Sequence, residues 1–161
     1  MTYLAPALFL AFLAVAAITD VTRRKIYNWT VIALVIVYCG AAIAGAAPTG
    51  PWSALGAAAV AFALTYGLYH FNVLGAGDAK LFTAAALFGG LTWLLPLAVI
   101  TALVGGVLAV GYLIARPRSL MRGLTVRGRT EAAATGGVPY GVAIALAAAS
   151  VGLLSGFVDF P

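Results

Sequence analysis

Charge is what this chain has least of. Its 161 residues hold nine Lys or Arg and four Asp or Glu, so 8% are charged. A soluble domain carries about 25%. Hydrophobic residues make up 64%, and the mean hydropathy is +1.10. Such a chain cannot cover a folded surface with polar groups. This excludes a soluble globular enzyme, a disordered tail and a nucleic-acid-binding domain. A single cysteine, Cys39, excludes an internal disulfide and any Cys-rich zinc site. It lies in an apolar run and reads as a buried, inert thiol. The net charge of +5 would suggest nucleic acid for a soluble protein. Here it points instead to the anionic leaflet of a membrane.

What is present is a series of apolar runs. A membrane-crossing helix needs about 20 mostly apolar residues, so the chain accommodates about six. The expected spans run from about Tyr3 to Thr19, Asn28 to Ala46, Trp52 to Phe71, and Ala79 to either Gly89-Gly90 or Leu95. A fifth continues to Ala115, and a sixth covers Pro139 to Phe157. Pro48-Thr49-Gly50-Pro51 ends the second with a turn. If Gly89-Gly90 closes the fourth, that helix has only about three turns and starts well inside the bilayer. The glycines Gly105, Gly106 and Gly111, and Gly75 with Gly77, read as points of close helix approach. The fold class is therefore all-α: one polytopic transmembrane domain over residues 1–161.

The basic residues orient this arrangement. Arg23, Arg24 and Lys25 follow the first span, and Lys80 follows the third. Arg116, Arg118, Arg122, Arg127 and Arg129 follow the fifth. With six spans all nine lie on one side, which the positive-inside rule makes cytoplasmic. Both termini then lie outside. A cleaved signal peptide over residues 1–20 is the competing reading. It needs basic residues before the apolar stretch, whereas here they follow it.

Four acids remain. Glu131 sits among arginines and reads as a solvated pair; Asp159 lies near the C-terminus. Asp20 ends the first span and Asp78 begins the fourth, both at the cytoplasmic ends of their helices. A carboxylate at membrane depth costs about 2.5–3.5 kcal/mol on insertion scales. Each has a local reading. Asp20 can pair with Arg23 or Arg24 at i+3 and i+4, and Asp78 can cap the start of its helix. Together they also form a candidate aspartyl dyad, in which two carboxyls share a proton. One then activates a water while the other donates to a substrate carbonyl. Glycines around Asp78 in Leu74-Gly75-Ala76-Gly77-Asp78-Ala79-Lys80 would let another backbone approach the carboxylate. Lys80 has the length to snorkel to the headgroups.

These residues carry a family resemblance. Gly75-Ala76-Gly77-Asp78-Ala79-Lys80 resembles the GxGDxK motif of type IV prepilin peptidases, polytopic aspartic proteases of the bacterial inner membrane. Asp20-Val21-Thr22-Arg23-Arg24-Lys25-Ile26-Tyr27-Asn28 is similar to their first motif, with Tyr27 where the family usually has Pro. Val138-Pro139-Tyr140-Gly141-Val142-Ala143-Ile144-Ala145 is similar to the stretch that opens the last helix in short members serving Flp (tight-adherence) pili. The resemblance implies an aspartic endopeptidase with Asp20 and Asp78 as catalytic pair. It implies removal of a short basic leader from a prepilin with an apolar helix, at the cytoplasmic face. No metal or organic cofactor is implied. Methylation is not expected, because the chain has no Cys-x-x-Cys domain. Gly75, Gly77, Lys80, Asn28, Pro139 and Tyr140 would support the site; Asn28 can cap the second span, and Pro139 and Tyr140 can line the substrate groove or start the last helix.

His70 and its neighbours Tyr66, Tyr69 and Phe71 read as an interfacial belt. The five-arginine loop Arg116–Gly137 can lie on anionic lipid, and a pilus-assembly partner is a further candidate for it. The alternative function is a small transporter or assembly scaffold that uses the two Asp as a proton or ion site.

Overall fold

The computed structural model describes residues 4–115 and 140–158. The loop of arginines, Glu131, Pro139 and Asp159 lie outside them. The described residues form five helices: α1 (Leu4–Arg23), α2 (Asn28–Ile43), α3 (Pro51–His70), α4 (Ala76–Ala115) and α5 (Tyr140–Leu154). α1, α3 and α4 are long and apolar enough to cross a membrane. The fold is all-helical, as expected.

The burial pattern is that of a protein in an apolar solvent. Large hydrophobic side chains point outward from every helix, among them Ile18, Ile36, Leu64, Leu103 and Leu153, each more than half exposed. The inner faces are largely alanine: Ala54, Ala57 and Ala61 of α3, and Ala143, Ala147 and Ala148 of α5, are fully or almost fully buried. Small side chains let helices pack closely where lipid supplies no hydrophobic drive for association. Cys39 corrects the sequence reading, because it is exposed on the outer face of α2 rather than buried.

The ambiguous boundary between the fourth and fifth spans falls at Gly90. Helical turns continue on both sides of it within α4, but Gly90 itself has φ 62° and ψ −171°, a region open essentially to glycine alone. The break reverses the chain. Ala79, early in α4, lies beside Thr65 near the end of α3. Leu87 and Leu91 lie beside Thr49 and Ser53 at the other end. Gly105 then returns to the start of α5, against the Tyr140 ring. Residues 76–89 and 91–115 are thus antiparallel arms of one helical hairpin. The first arm, about 21 Å long at 1.5 Å per residue, is the central helix: Leu81, Phe82 and Ala84 through Phe88 are all buried.

Breaking a helix leaves backbone carbonyls before the break and N–H groups after it without partners. Two short side chains satisfy them here. The Thr49 hydroxyl donates to the Leu87 carbonyl at 3.0 Å. The Leu91 N–H donates to the Ser53 hydroxyl at 3.0 Å. The Pro48–Pro51 turn therefore does more than end α2; it carries the polar cap of the central hairpin. Near it an aromatic cluster fills the core, with Phe9 and Phe88 centroids 4.3 Å apart and Tyr38 set edge-on to Phe88 at 5.5 Å.

The glycines divide by function. A Cβ on Gly105 would lie 2.7 Å from the Tyr140 ring, and one on Gly77 would lie 3.1 Å from Ile26. Among the described residues Gly106 and Gly111 have nothing within 4 Å of an added Cβ, so no contact with a described helix is seen there. At Gly90 a Cβ would lie 2.7 Å from Ser53 Oγ. Gly90→Ala should therefore destabilise the fold by about 1–3 kcal/mol from backbone conformation alone. Gly67→Ala, which meets nothing within 4 Å, should leave stability unchanged or raise it slightly. Thermal unfolding in detergent micelles checks both, and equal midpoints for Gly90→Ala and the parent would refute the turn.

Candidate active site

Three helix ends meet at the end of the bundle opposite the Thr49–Ser53 cap. They are the last turn of α1, the first turn of α4 and the first turn of α5. α1 runs past the expected end of its span and carries Asp20 inside its final helical turn. Arg24, in a left-handed conformation with φ 51°, closes the helix. Arg23, Arg24, Lys25 and Lys80 all lie at this end, and no described residue at the opposite end is charged.

Asp20 is 7% exposed. Its carboxylate faces the start of α5, where the Gly141 N–H donates to Oδ2 at 2.7 Å. This amide belongs to the first turn of α5, where helical N–H groups have no partner within the helix. Asp20 therefore caps α5 from another helix. The approach is so close that a Cβ on Gly141 would lie 2.8 Å from Oδ2 and 2.9 Å from Cγ. The local reading of Asp20, an ion pair one turn along α1, is only part of its surroundings. Arg24 contributes to its electrostatics, while the Arg24 guanidinium also lies over the Tyr112 ring at 5.7 Å. Arg23 instead donates to the Tyr27 hydroxyl at 3.0 Å.

Asp78 occupies the third position of α4 and is half-buried. Its carboxylate lies against Gly75, the residue just before the helix, where an added Cβ would lie 2.8 Å from Oδ2. Gly75 thus makes room for the carboxylate of its own motif, while Gly77 seats α4 on Ile26. Asp78 lies within range of the charge on Asp20. The two acids, distant in sequence, share one electrostatic environment.

The supporting residues fall partly as expected. Lys80 Nζ donates to Asn28 Oδ1 at 3.2 Å, which ties the first sequence motif to the second. Asn28 does not cap α2. The capping position is Tyr27, whose side chain makes no capping bond. The Thr30 hydroxyl, one turn in, donates to the Tyr27 carbonyl at 2.6 Å. The Lys80 ammonium is thus held by Asn28 as well as by its exposure. Tyr140 begins α5 and lies against Gly105. His70 lies outside the cluster, edge-on to Phe71 at 5.9 Å.

Sequence reasoning missed Gly141 and Ile26. Gly141 stands in the quoted Pro139-Tyr140-Gly141 stretch, but nothing in its spacing links it to Asp20. Among the described residues no group of His, Cys, Asp or Glu could hold a metal ion. An apolar cleft of about 650 Å³ opens beside the site between α3, both arms of α4 and α5. Leu74 and Tyr140 lie at its carboxylate end, and Leu68, Phe82, Ala98 and Ile144 line it further in.

No curated protein and no solved structure matches the chain. A family model does, over residues 7–110. The matched stretch includes both aspartates, the first three helices and most of the α4 hairpin. It stops before α5. On this match the chain belongs to the type IV leader peptidase family.

Proposed function

We propose that the protein is an aspartic endopeptidase that removes the leader from prepilins, with Asp20 and Asp78 as its catalytic pair. The observation that carries this reading is the convergence of the chain's two span-end carboxylates, on α1 and α4, within range of each other's charge. Family membership supports the leader-peptidase activity. In the proposed reaction one carboxylate takes a proton from a water, whose oxygen attacks the scissile carbonyl. The other carboxyl donates its proton to the carbonyl oxygen. The resulting tetrahedral centre collapses as the amide nitrogen is protonated, and the peptide bond breaks.

The surroundings suit such a substrate. The cleft beside Leu74 and Tyr140 offers the apolar helix of a prepilin a place next to the carboxylates. The basic residues cluster at the same end, which favours cleavage at the cytoplasmic face of the inner membrane. On this reading the two arms of α4 count as separate spans, giving six in all with both termini outside. The Pro139-Tyr140-Gly141 stretch favours Flp-type pilins as substrates. A proton or ion carrier would need a polar path through the bundle. Among the described residues the buried polar side chains are Asp20, Thr30 and Thr65, and both threonines bond backbone carbonyls.

Two outcomes are expected. Asp20→Asn and Asp78→Asn should each abolish leader removal from a co-expressed pilin, read as a mobility shift on a gel, without loss of membrane insertion. Normal processing by both would reject the dyad. Ala98→Trp fills the cleft and should raise KM for a prepilin at least about tenfold, because it removes binding surface rather than chemistry. An unchanged KM would place the substrate elsewhere.

A further inference from the structure

We propose that the first turn of α5, and Gly141 above all, is a positioning element for the Asp20 carboxylate. This rests on the peptidase reading and adds to it a residue beyond the matched stretch.

A carboxylate that must act on a bound water has to hold its oxygens within a fraction of an ångström. Asp20 lies at the end of α1, where Arg24 already leaves the right-handed helix. α1 alone therefore fixes the side chain poorly. The fixing comes from α5. The Gly141 N–H holds Oδ2 at 2.7 Å. Because that amide belongs to a helical turn, it imposes direction as well as distance. It also satisfies one side of a buried acid and leaves its remaining lone pairs for water and Asp78. Glycine is required at this position by space. A side chain there would overlap Oδ2, Cγ and Cβ of Asp20, all within 3.0 Å of the added atom. The conformation of Gly141 is ordinary helix, so its role is close approach and not backbone freedom.

α5 is itself held in place by contacts other than Asp20. The Tyr140 ring lies on Gly105 of the second α4 arm, and Gly152, near the other end of α5, takes Val158 and Phe9. α5 thus transmits the position of the α4 hairpin to a carboxylate on α1.

The test uses the full-length protein in micelles with a prepilin substrate, with kcat expressed per folded molecule. Gly141→Ala should lower kcat by about 10²-fold, the loss typical of a catalytic group displaced by about 1 Å, with KM within about twofold. Leu146→Ala, on the exposed face of α5, should retain the parental rate. A double-mutant cycle separates positioning from general packing. The loss of thermal stability caused by Gly141→Ala should fall to less than half in an Asp20→Ala background, because Oδ2 and Cγ are gone. Parental kcat in Gly141→Ala, or stability losses that simply add, would overturn the proposal. If Gly141→Ala does not fold, the Gly141 amide proton decides: its resonance in the parent protein should lie downfield of the other helical amides and move upfield in Asp20→Ala, and an unchanged resonance would overturn the proposal. Activity in Asp20→Asn would instead overturn the peptidase reading. An inactive Asp20→Asn beside a fully active Gly141→Ala would remove the positioning role alone.

Discussion

The arrangement depends on how an apolar bundle accommodates a buried acid. Asp20 is almost fully enclosed, and a carboxylate so placed is tolerated only with hydrogen-bond donors at hand. The bundle has few polar side chains to offer. It uses backbone instead, the Gly141 amide in the first turn of α5. Asp78 likewise sits at a helix start, its carboxylate against Gly75 just before α4. Two helix starts and one helix end thus have to meet. Helix starts are the one place in a membrane bundle where backbone donors are free by construction.

That requirement organises the rest. α4 must begin at the site, yet the following segment must return to bring Tyr140 and α5 there as well. The reversal at Gly90 does this within a single continuous apolar segment. Its cost in unpaired backbone groups is met by Thr49 and Ser53, which flank the turn between α2 and α3. The two ends of the bundle therefore differ in kind. One is a structural polar cap with no charged residue among those described, and the other holds carboxylates, arginines and lysines. The central arm links them, buried from Leu81 to Phe88 except at Thr83, and packed in the core with alanines and aromatic rings.

The glycines show how one residue type serves different physical ends. Gly90 is needed for its backbone angles. Gly75 and Gly141 are needed because a carboxylate lies where a side chain would be, and Gly77 because Ile26 does. Gly106 and Gly111, equally prominent in the sequence, have no atom of the described residues within 4 Å of where a Cβ would be. A glycine in an apolar segment signals an approach only when something in another element comes to meet it.

The sequence by itself determined the solvent, the helical class and the short list of acids. These follow from composition and local period, because a chain with so little charge and such long apolar runs has few other ways to satisfy its backbone. It also determined that Asp78 meets Gly75 at the start of α4, since the two lie within one turn. Only the tertiary structure decided that Gly90 is the reversal, that Cys39 faces outward, that Lys80 reaches Asn28 and that Gly141 holds Asp20. Each of these joins residues from different elements or chooses one face of a helix over another. Helices apolar on every side, packed through alanines, leave the choice of inward face to the fit of whole helices. Local pattern is silent on that fit.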